Sequence, residues 1–135
     1  MHPSDKPSPT ELAKRIRSGI IDYLETAASY EHQRDYQRSV PKVCVPSEMI
    51  NQWEDWVTQL DAFPEPVFSP TEQAAIRQFH GIWHSVTKDT PKILPPLSQL
   101  TGTEPWERLR HGAELALKIF EVRGRLNDER DASSG

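Results

Sequence analysis

The sequence predicts an all-α protein, a four-helix bundle-like single domain with one long N-terminal helix and Pro-rich connecting loops. Its twelve prolines leave four long windows without proline, and proline breaks helices and disfavours helical backbone in the residue before it. Apolar residues recur in each window at spacings of three and four, and each window begins near a capping residue. The predicted helices cover approximately residues 9–39, 47–61, 70–87 and 104–126 of a domain that spans 9–127, with flexible tails at 1–8 and 128–135.

The first predicted helix begins at a strong N-terminal signal. Ser8 is placed to cap the helix, Pro9 occupies the first helical position, and Glu11 completes a capping box. The apolar side chains that follow form a heptad-like seam, which a continuous helix would turn towards its partners. Because no proline follows before Pro41, we expect one uninterrupted helix up to residue 39. The seam consists of Ala13, Ile16, Ile20, Tyr23, Ala27 and Tyr30.

The other three helices are predicted in the same way. The second follows Pro46, with Ser47 as its cap, and the third opens at Ser69 with the same Ser-Pro-Thr-Glu sequence as the first. The fourth starts after Thr103 and carries two apolar stripes, so we expect it to be the most buried. One helical turn is expected at residues 95–100, in the connection before it. We expect Trp53, Trp83 and Trp106 to lie in the core and Trp56 to be partly exposed.

Composition and charge exclude several classes of function. No apolar run approaches the roughly 18 residues that a membrane span needs, and the polar residues 1–9 lack the apolar region of a secretory signal. The single cysteine, Cys44, permits no internal disulfide and no Cys-based zinc site, which favours a cytoplasmic location. The net charge of −4 argues against nucleic acid as a partner, because phosphate binding needs a basic surface.

The charge distribution is the most informative feature. Residues 43–76 contain six acids and no Lys or Arg, whereas the segments 1–42 and 77–135 each carry a net charge of +1. Such an acidic segment focuses negative potential and steers a basic partner, and the apolar side chains near residue 65 are expected to add an anchor. An acidic helix face that contacts only solvent is the competing interpretation and is equally open. The predicted binding residues are Glu54, Asp55, Trp56, Asp61, Phe63, Glu65 and Phe68.

Catalytic and metal-binding patterns are weak. His80 and His84 are spaced i,i+4, which places both imidazoles on one side of a helix, but no further ligand completes a metal motif. His111 follows Glu107 by four residues, a pair that is more often a surface contact than a general base. Cys44 lacks a nearby histidine that would activate it. We therefore predict no cofactor and no enzymatic activity.

Three classes of function follow from these patterns. The first is a non-catalytic protein-binding module whose acidic face, residues 43–76, engages a basic protein partner, as an inhibitor or immunity-type protein would. The second is a small-molecule or metal-binding helical bundle in which His80 and His84 converge with His111 or His32. The third is a self-associating structural protein, in which the seam of the first helix pairs two copies into a homodimer. The charge asymmetry favours the first.

Overall fold

The structure, a computed structural model, describes residues 8–59 and 62–126, and all regular secondary structure within those ranges is helical. The all-α prediction is therefore confirmed. None of the helices in these ranges is both long and apolar enough to cross a membrane. Apart from Ser8, the two segments predicted as flexible tails lie outside the described residues. The helices, in chain order, are α1 (Pro9–Ala27), α2 (Tyr30–Ser39), α3 (Val45–Val57), α4 (Pro70–Asp89), α5 (Leu97–Leu100) and α6 (Glu104–Glu121).

Helices α1 and α4 begin with the predicted capping boxes. The Ser8 hydroxyl accepts a hydrogen bond from the Glu11 amide at 3.1 Å, and the Glu11 carboxylate accepts one from the Ser8 amide at 2.8 Å. At the start of α4, the Ser69 hydroxyl accepts a hydrogen bond from the Glu72 amide at 3.2 Å, and the Glu72 carboxylate accepts one from the Ser69 amide at 2.9 Å. Each box satisfies two amide groups that have no partner inside the helix, and a capping side chain contributes about 1 kcal/mol. Both Ser-Pro-Thr-Glu sequences are therefore helix starts, as predicted.

The prediction of one long N-terminal helix is wrong. α1 ends at Ala27, and α2 begins after Ser29, whose hydroxyl accepts a hydrogen bond from the His32 amide at 3.2 Å. The break is stabilised by Gln33, which is fully buried. Its side-chain nitrogen donates to the Ala27 carbonyl at 3.0 Å, and its side-chain oxygen accepts from the Trp106 indole at 2.9 Å. Hydrogen bonds that join Gln33 to the end of α1 and to α6 therefore stabilise the break between α1 and α2.

Four other helix ends differ from the prediction: α3 ends at Val57 instead of residue 61, α4 ends at Asp89 instead of residue 87, and the start of α3 and the end of α6 also differ. α3 begins at Val45, two residues early, because Pro46 suits the first turn of a helix, where no amide donor is needed. α6 ends at Glu121, five residues early, because Gly124 adopts a left-handed φ of 70° and its amide donates to the Phe120 carbonyl at 2.8 Å. The helical turn expected before α6 is present as α5.

The core forms where α1 packs against both α3 and α6, and where α4 packs along α6. At its centre, the rings of Tyr23, Trp53 and Phe79 have centroids 4.6–6.1 Å apart in tilted and edge-on arrangements. Such aromatic pairs contribute about 0.5–1.5 kcal/mol beyond their buried area. The tryptophans are placed as predicted, with Trp53, Trp83 and Trp106 buried and Trp56 half-buried.

A buried ion network joins α1, the start of α4 and the segment after α6. The Arg17 guanidinium, fully buried, donates to the two carboxylate oxygens of Glu72 at 2.6 and 2.9 Å and to the Gly124 carbonyl at 2.8 Å. Arg123 donates to the same carboxylate at 2.6 Å. Burial alone would raise the pKa of Glu72, but hydrogen bonds from Arg17, Arg123 and the Ser69 amide lower it to about 2. Because an unpaired charge in this position is costly, the network fixes these elements relative to one another.

Candidate functional site

Four carboxylates of the acidic segment have no cationic partner in the part of the chain that the structure describes: Glu48, Glu54, Asp55 and Glu65. Most acids elsewhere in residues 8–59 and 62–126 do have one, such as Glu104 and Asp89 with Arg108, and Asp22 and Glu25 with Arg125. The remaining described acid of the segment, Glu72, belongs to the buried network and not to the surface. The surface acids Glu48, Glu54, Asp55 and Glu65 are therefore not neutralised by ion pairs within the described residues.

Glu54 and Asp55 also lie at the electrostatically unfavourable end of a helix. Both belong to the last turn of α3, which contains no basic residue. The C-terminus of a helix carries a partial negative charge, so carboxylates there destabilise the helix and cations stabilise it. Helix stability gives no reason for two adjacent carboxylates at this position. Residues that act against local stability are concentrated at functional sites.

Next to these acids, Trp56 lies in a groove between α1 and α3. The indole packs directly on Gly19, where an added β-carbon would lie 2.3 Å from a Trp56 ring atom. The groove has a volume of about 480 Å³ and is lined by Asp22 from α1 and Asp55 from α3. No lysine, arginine or histidine occurs among the described residues that line it. An aromatic face beside carboxylates is suited to a guanidinium or ammonium group.

The two carboxylates of the groove differ in availability. Asp22 pairs with Arg125 at 2.7 Å, whereas the side chain of Asp55 has no partner among residues 8–59 and 62–126. Tyr36 and Gln52 also line the groove, and the Gln52 amide donates to the Tyr36 hydroxyl at 3.1 Å. Asp55 is therefore the carboxylate that is free to pair with an incoming cation.

The hydroxyl of Tyr23 is buried and has no hydrogen-bond partner within the described residues. Tyr23 also lines the groove. Burial raises the pKa of this phenol, so it stays neutral at physiological pH. A buried hydroxyl without a partner costs about 1–3 kcal/mol. This hydroxyl, on a residue that lines the groove, is therefore a second feature besides Asp55 that stability alone does not account for, although the hydroxyl itself is not exposed to solvent.

The loop residues predicted as an apolar anchor are not part of this groove. The ring centroids of Phe63 and Phe68 are 5.2 Å apart. Phe68 is fully buried, and its ring centroid lies 6.3 Å from that of Phe120. Phe68 therefore belongs to the core and is not available to a partner, which corrects its assignment as a binding residue. Glu65 is exposed in the loop before α4. Asp61 lies outside the described residues.

His80 and His84 do not join other ligands in a metal site. Both are exposed, and Nδ1 of His80 accepts a hydrogen bond from the Trp53 indole at 3.1 Å. In residues 8–59 and 62–126, no three His, Cys, Asp or Glu side chains lie close enough together to hold a metal ion. The convergence of these histidines with His32 or His111 that the sequence analysis considered is therefore not observed among the described residues.

The apolar seam of α1, which motivated the self-association hypothesis, is used within the chain. Its members on α1 are all buried, since α1 packs against α3 and α6. A second copy would have to displace this packing to reach the seam. The observation that suggested a homodimer therefore no longer favours one. The buried members are Ala13, Ile16, Ile20, Tyr23 and Ala27.

A second and larger groove, which was not predicted from the sequence, lies elsewhere on the surface. It has a volume of about 920 Å³ and lies between the C-terminal half of α2 and residues 94–101. Its charged residues, Arg34, Arg38 and Lys42, are all basic. The basic character is hidden in the sequence because acids alternate with these residues along the chain, so that the segment as a whole is almost neutral.

The groove between α1 and α3 offers carboxylates, amides, a phenol and an indole. These groups can recognise a cation through charge, hydrogen bonds and an aromatic face. Asp55 supplies the charge and Trp56 the apolar surface, and both come from the same turn of α3. The chain matches no model of a protein family, no curated protein and no solved structure.

Proposed function

We propose that this chain is a non-catalytic protein-binding domain that engages a basic protein surface, as an inhibitor or immunity-type protein does. Its contact surface consists of Glu54 and Asp55, the half-buried Trp56 and the groove between α1 and α3. One observation carries the proposal: the surface acids of α3 have no cationic partner among the described residues, and two of them lie where a helix disfavours them. A basic partner would supply the missing positive charge.

The expected role of the acids is to accelerate association and fix orientation. A surface of one sign attracts an oppositely charged partner over a Debye length, about 8–10 Å at physiological salt. Rim charges of this kind change the association rate more than the final affinity. We therefore expect fast, salt-sensitive binding.

The expected role of Trp56 is to anchor the complex. Tryptophan is enriched among the residues that dominate binding energy, and such residues sit in pockets from which water is excluded. Trp56 already rests on Gly19 and lines a groove that Asp55 also lines. An arginine or lysine of the partner would stack on the indole and pair with the Asp55 carboxylate.

We also propose a cytoplasmic location. Cys44 is exposed and, as the single cysteine, has no disulfide partner within the chain. A free, accessible thiol is stable in a reducing compartment and prone to oxidation outside it. The redox state of Cys44 in protein isolated under acid quenching tests this proposal, which predicts a free thiol.

The binding proposal is tested with a charge-reversal pair and a matched control. Partners captured from native lysate at low salt are identified, purified and measured for their association rates with the wild type. Glu54→Lys with Asp55→Lys should slow association about tenfold at 0.05 M salt, and the difference should shrink at 0.5 M salt.

The control is Glu31→Lys with Glu121→Lys, two exposed acids on α2 and α6 that have no cationic partner among the described residues. This variant changes the net charge equally but leaves the proposed surface intact, so its association rate should change by less than about threefold. If the two variants slow association equally, net charge is responsible and the α3 surface is not the interface.

A further inference from the structure

We propose that the basic groove beside α2 binds an anionic amphiphile, namely an apolar chain that ends in a carboxylate. Its volume of about 920 Å³ lies within the range of small-molecule sites, about 300–1,000 Å³. One wall is the C-terminal half of α2 with the turn that follows it, and the other is residues 94–101, which include α5. The site is separate from the acidic surface of α3, so the inference does not depend on the proposed function.

The charged part of the groove is suited to an anion. Arg34 and Arg38 lie one helical turn apart on α2, and Lys42 follows in the turn after it. Arg34 and Lys42 have no acidic partner in residues 8–59 and 62–126, whereas Arg38 pairs with Asp35. No carboxylate occurs among the described residues that line the groove. Because Arg34 and Lys42 have no acid to neutralise them within the described residues, a bound carboxylate would supply the missing negative charge and accept bidentate hydrogen bonds from the Arg34 guanidinium.

The remainder of the groove is suited to an apolar chain. Its lining includes Val43, Leu94 and Leu97, together with two prolines. Val43 is 37% exposed, and Ile93, next to Leu94 in the chain, is 89% exposed. These are two of the four exposed large apolar side chains in the described structure; Val43 lines the groove, and Ile93 is adjacent in sequence to the lining residue Leu94. Apolar surface left in water at a concave site is typical of a ligand-binding position.

The combination of the two parts determines the class of ligand. An inorganic anion would use the cations but leave the apolar wall in water, and a neutral lipid would do the reverse. Only a molecule with both parts satisfies the cations, Arg34 above all, and the apolar wall formed by Val43 and Leu94. A carboxylate matches the planar fork of a guanidinium better than it matches a single ammonium.

Cys44 makes the groove measurable, because it lines the groove and is exposed. As the single thiol of the chain, it is the only residue that iodoacetamide should modify rapidly at neutral pH. In the full chain, decanoate below its micelle concentration should slow this reaction in a saturable manner. The decanol concentration that gives the same protection should be about tenfold higher, because decanol lacks the negative charge. Decyltrimethylammonium, with the opposite charge, should not protect.

Arg34→Gln with Lys42→Gln tests the role of the cations. This variant should raise the decanoate concentration for half-protection by about tenfold or more, which is the loss expected for hydrogen bonds to a charged group. The control, Arg77→Gln with Lys88→Gln, removes two exposed cations outside the groove and should leave that concentration unchanged. Calorimetric titration of Cys44→Ser with decanoate should give a Kd close to the decanoate concentration that half-protects Cys44 in the wild type. Such agreement would show that binding does not need the thiol.

Two results would overturn the proposal. One is the absence of saturable protection by decanoate together with no heat of binding to Cys44→Ser. The other is protection that does not depend on charge, seen either as equal protection by decanoate and decanol or as equal protection in the wild type and in Arg34→Gln with Lys42→Gln, because the cations would then play no part.

Discussion

Replacing the acids at the end of α3 by lysine should make the protein more stable while it weakens binding. The perturbation is Glu54→Lys with Asp55→Lys. Both residues are exposed and lie in the last helical turn, and neither has a cationic partner among the described residues. Their removal therefore breaks no ion pair, and lysines at the C-terminus of a helix interact favourably with its partial negative charge.

The magnitude follows from the position of the two charges. A charge near a helix end contributes about 0.3–1 kcal/mol, and the lower value applies to exposed side chains. Each substitution removes an unfavourable charge and adds a favourable one, so the pair should raise the free energy of unfolding by about 1 kcal/mol. Lysine also has a slightly higher helix propensity than aspartate. For a domain of this size, about 1 kcal/mol corresponds to a rise in Tm of about 3–5 °C.

Urea unfolding followed by circular dichroism measures this gain. It should be largest at low ionic strength and should decrease in 1 M NaCl, where surface charges are screened. Glu54→Gln with Asp55→Asn, which removes the negative charges without adding positive ones, should give about half the gain. A loss of stability in the lysine variant at low salt would refute the reasoning, because it would mean that the acids stabilise the native fold.

Three further predictions concern the core and the groove. The pKa of Glu72 in the folded protein, about 2, lies below its ordinary value of 4.5. The contribution of Glu72 to the free energy of unfolding is therefore complete above pH 4.5 and is lost as the pH falls towards 2. Glu72→Gln should remove this part of the pH dependence of urea unfolding and lower stability at pH 7 by about 3–5 kcal/mol, since Arg17 would be buried without a counter-charge. Tyr23→Phe should raise the free energy of unfolding by about 1 kcal/mol in the same assay, because it removes a buried hydroxyl without a partner, and a loss would show that the hydroxyl is bonded. Gly19→Ala should displace Trp56, shift its fluorescence to the red and increase quenching by iodide, whereas unchanged quenching would contradict the close packing of Trp56 on Gly19.

The features that could be predicted from the sequence are those set by local chemistry. The capping boxes at Ser8 and Ser69 depend on residues three positions apart, and a proline in the first turn selects the helical backbone. The apolar periodicity predicted the buried faces of the helices, including the α1 seam. Gly124 is also a local signal for the end of α6, since glycine is favoured just past a helix end, but the prediction gave it no weight.

The features that could not be predicted depend on contacts distant in sequence. The break between α1 and α2 is not marked by proline or glycine, and it is stabilised by the bond between Gln33 and Trp106, which are 73 residues apart. The role of Glu72 is similar, because the sequence shows an acid at a helix start and not the two arginines that surround it. The charge pattern of residues 43–76 therefore placed Glu72 in the same group as the acids that are on the surface.

The candidate site was predictable to the extent that its residues are adjacent in sequence. Glu54, Asp55 and Trp56 were identified because they follow one another on α3 in a segment without cations. The contribution of α1 was not visible, since only the fold places Gly19 and Asp22 beside them. An aspartate that pairs with Arg125 looks no different in the sequence from one that has no partner.

The same reasoning explains why one charged surface was visible in the sequence and the other was not. A count of charges along the chain detects a surface whose residues are consecutive and of one sign, as in residues 43–76. It cannot detect Arg34 and Lys42, because acids alternate with them and reduce the net charge of the segment almost to zero. In the folded helix, however, neither acid of α2 lines the groove that contains Arg34, although Asp35 lies close enough to pair with Arg38. A nearly neutral stretch of an amphipathic helical protein can therefore carry a surface of a single sign, and the charge of each face, not of each segment, determines which ligand it attracts.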